Sequence, residues 1–182
     1  MSLNYKLNKD ETVLVIVDLQ EKLMKAMSDR EKVYRNISIL LAAAEQMGIP
    51  VIVTEQYPQG LGSTVKEIQD NLKTYQYMDK MDFSAFEGLN NILSTMSRKT
   101  VLMTGSETHV CVFQTTRDLV EAGYQVQVVK DAVCSRYQDN YLNGLDLMHD
   151  RGAVITNTET VVFDLLKVAS GPEFKVISKL VK

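Results

Sequence analysis

The chain has 182 residues, of which 45% are hydrophobic and 24% charged, and a formal net charge of -3. That size and balance fit one soluble globular domain spanning residues 1–182, with enough apolar side chains for a full core. Lys and Arg are scattered singly and leave no basic footprint, which disfavours nucleic-acid or anionic-membrane partners and points to a small-molecule partner.

The first six residues, Met1 to Lys6, show no basic-then-apolar leader, and the first apolar run, 13–17, is far short of the roughly 20 residues needed to span a bilayer. A cytoplasmic protein whose two cysteines stay free is expected. Residues 13–17 read as a buried strand that ends at Asp18. Over 30–47, Val33, Ile37, Leu40, Leu41 and Ala44 recur at helical spacing until Gly48, and Pro50 then opens a strand at 51–54. A helix at 86–96 precedes a strand at 101–105. A helix at 110–122 stops at Gly123, a strand follows at 125–129, and a helix at 140–151 stops at Gly152. The chain closes with a strand at 153–155, a helix-like stretch at 158–167, and a tail from Gly171 that packs back or reaches a neighbouring subunit. Short apolar strands alternating with helices predict an α/β three-layer sandwich, with a mainly parallel sheet and helices on both faces.

In an open parallel sheet, ligands bind beyond the carboxyl ends of the strands. The residues just past the strands are Asp18; Glu55, Gln56 and Tyr57; Ser106 to Cys111; and Asp131. Cys111 lies at the entry of the 110–122 helix, where backbone N–H groups and the helix dipole favour a thiolate, although a small buried thiol is the commoner fate of a free cysteine. Cys134 follows Asp131, Ala132 and Val133 with no evident base and reads as that commoner case. Asp18 closes an apolar strand, so its carboxylate needs a partner. Lys80, in a largely apolar stretch, is able to balance a carboxylate and a thiol.

Asp18-Leu19-Gln20 after a hydrophobic strand, Lys80 with Phe83, Ser84 and Phe86, and the run from Gly105 to Val112 together resemble the three motifs of the isochorismatase-like cysteine hydrolases. The run Thr54-Glu55-Gln56-Tyr57-Pro58 with Gly60, Leu61 and Gly62 is similar to the small isochorismatase-domain subgroup. The resemblance covers nearly the whole chain, in order. It implies Cys111 as nucleophile, Asp18 as general base and Lys80 as electrostatic support, acting on an amide, imide or carbamoyl carbon through a thioester. It also implies a cis peptide between Ser106 and Glu107, an oxyanion hole from the backbone N–H groups of Glu107 and Cys111, and a homo-oligomer. Gln20, Tyr57, Phe83 and Phe113 are candidate walls of the substrate pocket. No cofactor or metal is expected: the stretch after the second strand has no histidine where nicotinamidases bind their metal, and His109 and His149 lack ligand spacing. Two other outcomes stay open, an inactive interaction protein on the same fold and a vinyl-ether hydrolase, although isochorismatase itself lacks the cysteine.

Overall fold

Six consecutive buried residues, Thr12–Val17, form strand β1, and a strand buried on both faces needs cover on both. Side chains alternate along it. Leu14 and Ile16 enter one apolar cluster, while Val13, Val15 and Val17 enter the other. In the computed structural model, which describes residues 5–182, β1 lies inside a six-stranded sheet in which every pairing is parallel, in the order β3-β2-β1-β4-β5-β6. The other strands are β2 (Val51–Gln56), β3 (Gln76–Lys80), β4 (Thr100–Ser106), β5 (Gln125–Cys134) and β6 (Val154–Thr156). Met1 to Asn4, part of the stretch read above for a leader, lie outside the described residues.

Nine α-helices are present among the described residues: α1 (Glu21–Met24), α2 (Arg30–Met47), α3 (Pro58–Leu61), α4 (Lys66–Gln69), α5 (Phe86–Ser94), α6 (Phe113–Glu121), α7 (Gln138–Asp150), α8 (Thr158–Leu166) and α9 (Pro172–Leu180). Helices α2, α8 and α9 cover one face through Val33, Ile37, Leu40, Val161, Leu165 and Ile177. The other face is covered by α5, α6 and α7 through Leu89, Leu93, Leu119, Leu145 and Met148. The result is the expected three-layer α/β sandwich. Among the described residues, no helix is long and apolar enough to cross a membrane.

Three details add to or depart from the sequence reading. The edge strand β3 (Gln76-Tyr77-Met78-Asp79-Lys80) was not expected, because four of its five residues keep contact with solvent and it has no apolar run. Strand β5 continues past 129 to Cys134, with a register shift against β4, so Asp131 is inside a strand rather than after one. There its carboxylate accepts hydrogen bonds from the N–H and hydroxyl of Thr158, where α8 begins. The C-terminal tail is a helix, α9, whose Ile177 is fully buried and which packs on α2.

Candidate active site

The strand order places the reversal of the winding between β1 and β4, the point at which open parallel sheets bind ligands beyond the carboxyl edge. Val17 is paired with Gly105, so Asp18 and Ser106 leave the sheet side by side, and the Ser106 hydroxyl donates to the Asp18 carbonyl at 2.8 Å. A glycine is required at 105. Its φ is +116°, and a Cβ there would stand 2.0 Å from the Val17 carbonyl oxygen. Asp18 itself has φ +49°, a left-handed conformation that Asp tolerates better than most residues.

The Asp18 side chain is fully buried, and both of its oxygens are engaged. Thr54 Oγ1 donates to Oδ1 at 2.7 Å, and Lys80 Nζ donates to Oδ2 at 2.7 Å. Lys80 reaches it from the last position of β3, directly opposite Gln56 of β2. Its ammonium also donates to Gln56 Oε1 at 2.7 Å and to the carbonyls of Asp82 and Phe83 at 3.2 and 3.1 Å. An ion pair this deeply buried is tolerated because its remaining polar positions are filled.

Strand β4 ends in the cis peptide Ser106–Glu107, and the chain then makes a π-helical turn, Thr108–Val112, before α6 starts. Single π turns of this kind recur at functional sites. Cys111 stands in the turn with 6% of its surface exposed. Burial first, and the Asp18 charge second, push its thiol up to about 12, against the pull of Lys80 in the other direction. Desolvation and the neighbouring carboxylate thus act against the thiolate form that the backbone dipoles at the helix entry favour. The charges of Asp18 and Lys80 both reach the sulfur, with opposite effects on its ionisation.

Two elements hold the turn from behind. The Glu107 carboxylate accepts from the N–H and Nε of Arg136 at 3.1 and 3.2 Å, and the His109 ring meets Ser135 Oγ at 3.0 Å. Gly144 of α7 presses directly on the turn, since a Cβ there would come within 2.9 Å of the Thr108 and His109 backbone. His109 thus braces the turn, and among the described residues no three His, Cys, Asp or Glu side chains gather as a metal site.

The candidate pocket residues separate in the structure. Tyr57 and Phe83 stand exposed and Phe113 half-buried. Gln20 is fully buried and unavailable to a ligand: its Oε1 accepts from the Gln56 N–H at 2.7 Å, and its Nε2 donates to the carbonyls of Gln56 and Gly62 at 2.9 and 2.7 Å. A cleft of about 350 Å³ adjoins Lys80, lined by Met78, Asp82, Ser84, Phe86 and Asp118. A larger cavity, about 420 Å³, lies at the amino end of β2 near Leu41 and Leu72, far from any of these groups. Of Asp18, Lys80 and Cys111, only Lys80 lines either cavity, and it lines the smaller one. The sequence places Thr54, Gln56 and Ser106 in motifs but does not show which groups they touch, and it does not single out Gly144, because those contacts depend on register and packing.

Comparison with known proteins extends the picture. The isochorismatase domain family matches residues 12–160. The secreted isochorismatase effector Isc1 of Phytophthora sojae is 41% identical over 177 residues, covering 94% of this chain and 84% of that protein. Isochorismatase domain-containing protein 2 of Xenopus laevis is 37% identical over 179 residues, covering 97% and 86%. Among solved structures, MAR1 ribonuclease from Caenorhabditis elegans superposes with a TM-score of 0.91 at 35% identity, covering 97% of this chain and 92% of that one.

Proposed function

The chain belongs to the isochorismatase family of hydrolases, and from that premise we propose that it is a cysteine-dependent hydrolase of a small amide, imide or carbamoyl C–N bond. One observation carries the reading: a buried thiol that feels the charges of a carboxylate and of the buried lysine ion-paired to it. A thiol that does not ionise alone needs a base at the moment of attack, and Asp18 has lone pairs left after accepting from Thr54 and Lys80.

In this scheme Asp18 takes the Cys111 proton as sulfur bonds to the carbonyl carbon, and the carbonyl π electrons move to oxygen. The backbone N–H groups of Glu107 and Cys111 receive that oxyanion. Collapse expels the amine, which leaves with the proton held by Asp18, and a thioester remains. Water then attacks the thioester with Asp18 again as base, and the acid and free thiol are released. Lys80 keeps the charge balanced while the proton is away from the sulfur. The substrate is a small molecule entering beside Lys80, with Tyr57, Phe83 and Phe113 at the mouth. The reading includes a homo-oligomer, which light scattering tests, and a cytoplasmic setting, consistent with two unpaired buried cysteines.

The test is a panel of small amides, imides and carbamoyl compounds with native protein and Cys111→Ala. Turnover by the native protein and none by the variant supports the proposal; equal turnover overturns it. Because the C. elegans neighbour is named a ribonuclease, the panel includes RNA, along with isochorismate for the vinyl-ether reaction. Cleavage of either, with no amide turned over, replaces the C–N reading.

A further inference from the structure

Three buried groups sit near one another at the carboxyl end of β2, and the scheme above uses none of them. Thr54 and Gln56 are two apart in the strand and so lie on one face of it, whereas Glu55, between them, points the other way and accepts from Thr64 and Tyr77. The Thr54/Gln56 face looks at the two charges of the site. Thr54 touches Asp18 twice: its carbonyl accepts the Asp18 N–H at 3.1 Å, and its hydroxyl donates to Oδ1 at 2.7 Å. Gln56 presents its amide oxygen to the Lys80 ammonium at 2.7 Å, and its Nε2 donates to the Met81 carbonyl at 2.6 Å, which fixes which end of the amide faces the lysine. Gln20 then clamps the Gln56 backbone from behind through both its N–H and its C=O.

We propose that Thr54 and Gln56 are positioning residues for the Asp18–Lys80 pair, Thr54 by holding the carboxylate aimed through its hydroxyl, and Gln56 by holding the ammonium on it. This inference rests on the proposed roles of Asp18 and Cys111. The physical ground is that a hydrogen bond donated to a charged carboxylate favours the charged form, and such bonds are strongest where water is excluded. Thr54 Oγ1 is the neutral donor to Asp18, and both residues are fully buried, so its loss leaves Oδ1 without that partner. Gln56 supplies a neutral acceptor to Lys80, and a carboxylate in its place would compete with both Asp18 and the developing sulfur anion for the ammonium.

The experiment needs no substrate. The rate of Cys111 alkylation by iodoacetamide is followed against pH in the folded protein by peptide mass, with Cys134 in the same molecule as reference. Because Asp18 must be ionised to accept the thiol proton, the profile has an acid limb. Thr54→Val, nearly isosteric, moves that limb up by about one pH unit, while Thr54→Ser leaves it in place. Gln56→Glu slows the reaction about tenfold on the plateau, since added negative charge opposes a sulfur anion. A purely structural role for these side chains would lower the folded fraction without moving a limb measured on folded protein. A Thr54→Val limb superimposable on the native one, or a Thr54→Ser limb displaced equally far, overturns the inference. If Thr54→Val fails to fold by circular dichroism, Thr54→Ala is read by the same criterion, and a Gln56→Glu plateau at or above the native rate overturns it as well. Asp18→Asn separates the two levels: a limb that survives in it removes Asp18 as base and with it the proposed function, whereas a limb lost there but unmoved in Thr54→Val removes only the positioning role.

Discussion

The two cysteines form a natural comparison. Both are buried, both stand near the carboxyl edge of the sheet, and burial pushes both thiols up to about 12. They differ in what surrounds them. Cys134 ends β5 and packs into the cluster under α2 and α8, where the charges that reach it, Glu107 and Asp29, only disfavour its thiolate further. Cys111 packs into the opposite cluster, and both a carboxylate, Asp18, and an ammonium, Lys80, act on its sulfur. Burial and a raised pKa therefore do not distinguish a nucleophile from an inert thiol. The distinction lies in whether the neighbourhood takes the proton and compensates the charge.

The largest effect that tests this contrast comes from removing each sulfur. Cys111→Ala is expected to lower turnover at least about a thousandfold, and Cys134→Ala to leave kcat/KM near the native value, in steady-state assays on whichever panel compound is turned over. Loss of activity in both would end the contrast. Next in size is Lys80→Met, which leaves Asp18 buried without its cation: urea denaturation should show a loss of about 3–5 kcal/mol, with turnover reduced about a hundredfold or more in the fraction still folded. Smaller again is Gly144→Ala, which presses a methyl group against the Thr108 and His109 backbone. It should slow turnover and Cys111 alkylation together, at a stability cost of about 1–3 kcal/mol, while leaving Cys134 alkylation unchanged.

The contrast also shows where the sequence was legible. The five apolar strands were readable because β1, β2, β4, much of β5 and β6 carry Val, Ile and Leu runs covered on both faces, and the helices because their apolar spacing and terminal glycines are local signals. Strand β3 was not readable, since an edge strand needs no apolar run and its residues are polar or aromatic. The same holds within the site. Asp18 and Cys111 follow strongly apolar strands, so their placement at one edge could be foreseen, and the motif resemblance brought in Lys80. Thr54, Gln56 and Ser106 act through register, Val17 against Gly105 and Gln56 against Lys80, which no short window of sequence encodes. Gln20 was misread for the same reason: beside a motif it resembles a ligand group, but in the fold its amide is used up by the backbone of the neighbouring strand.

The smallest expected effect sharpens the comparison by finding what the two thiols share. Burial pushes each thiol up from its ordinary 9.0 to about 12, so the unfolded state loses its protons first as pH rises. The stabilisation is fully present below about pH 9 and is lost progressively as pH climbs toward 12, by up to about 1.4 kcal/mol per pH unit for each thiol. Urea midpoints measured from pH 8 to pH 10.5 should fall for the native protein and fall less steeply for Cys111→Ala and Cys134→Ala alike. Tyr34, held up to about 12 by burial, adds its own decline only above its ordinary value of 10.0 and so does not obscure the first part of the curve. If the two variants flatten the curve equally while only one abolishes turnover, the thiols are equivalent as buried acids. The difference between them then belongs to Asp18 and Lys80, and to the strand β2 side chains that hold that pair.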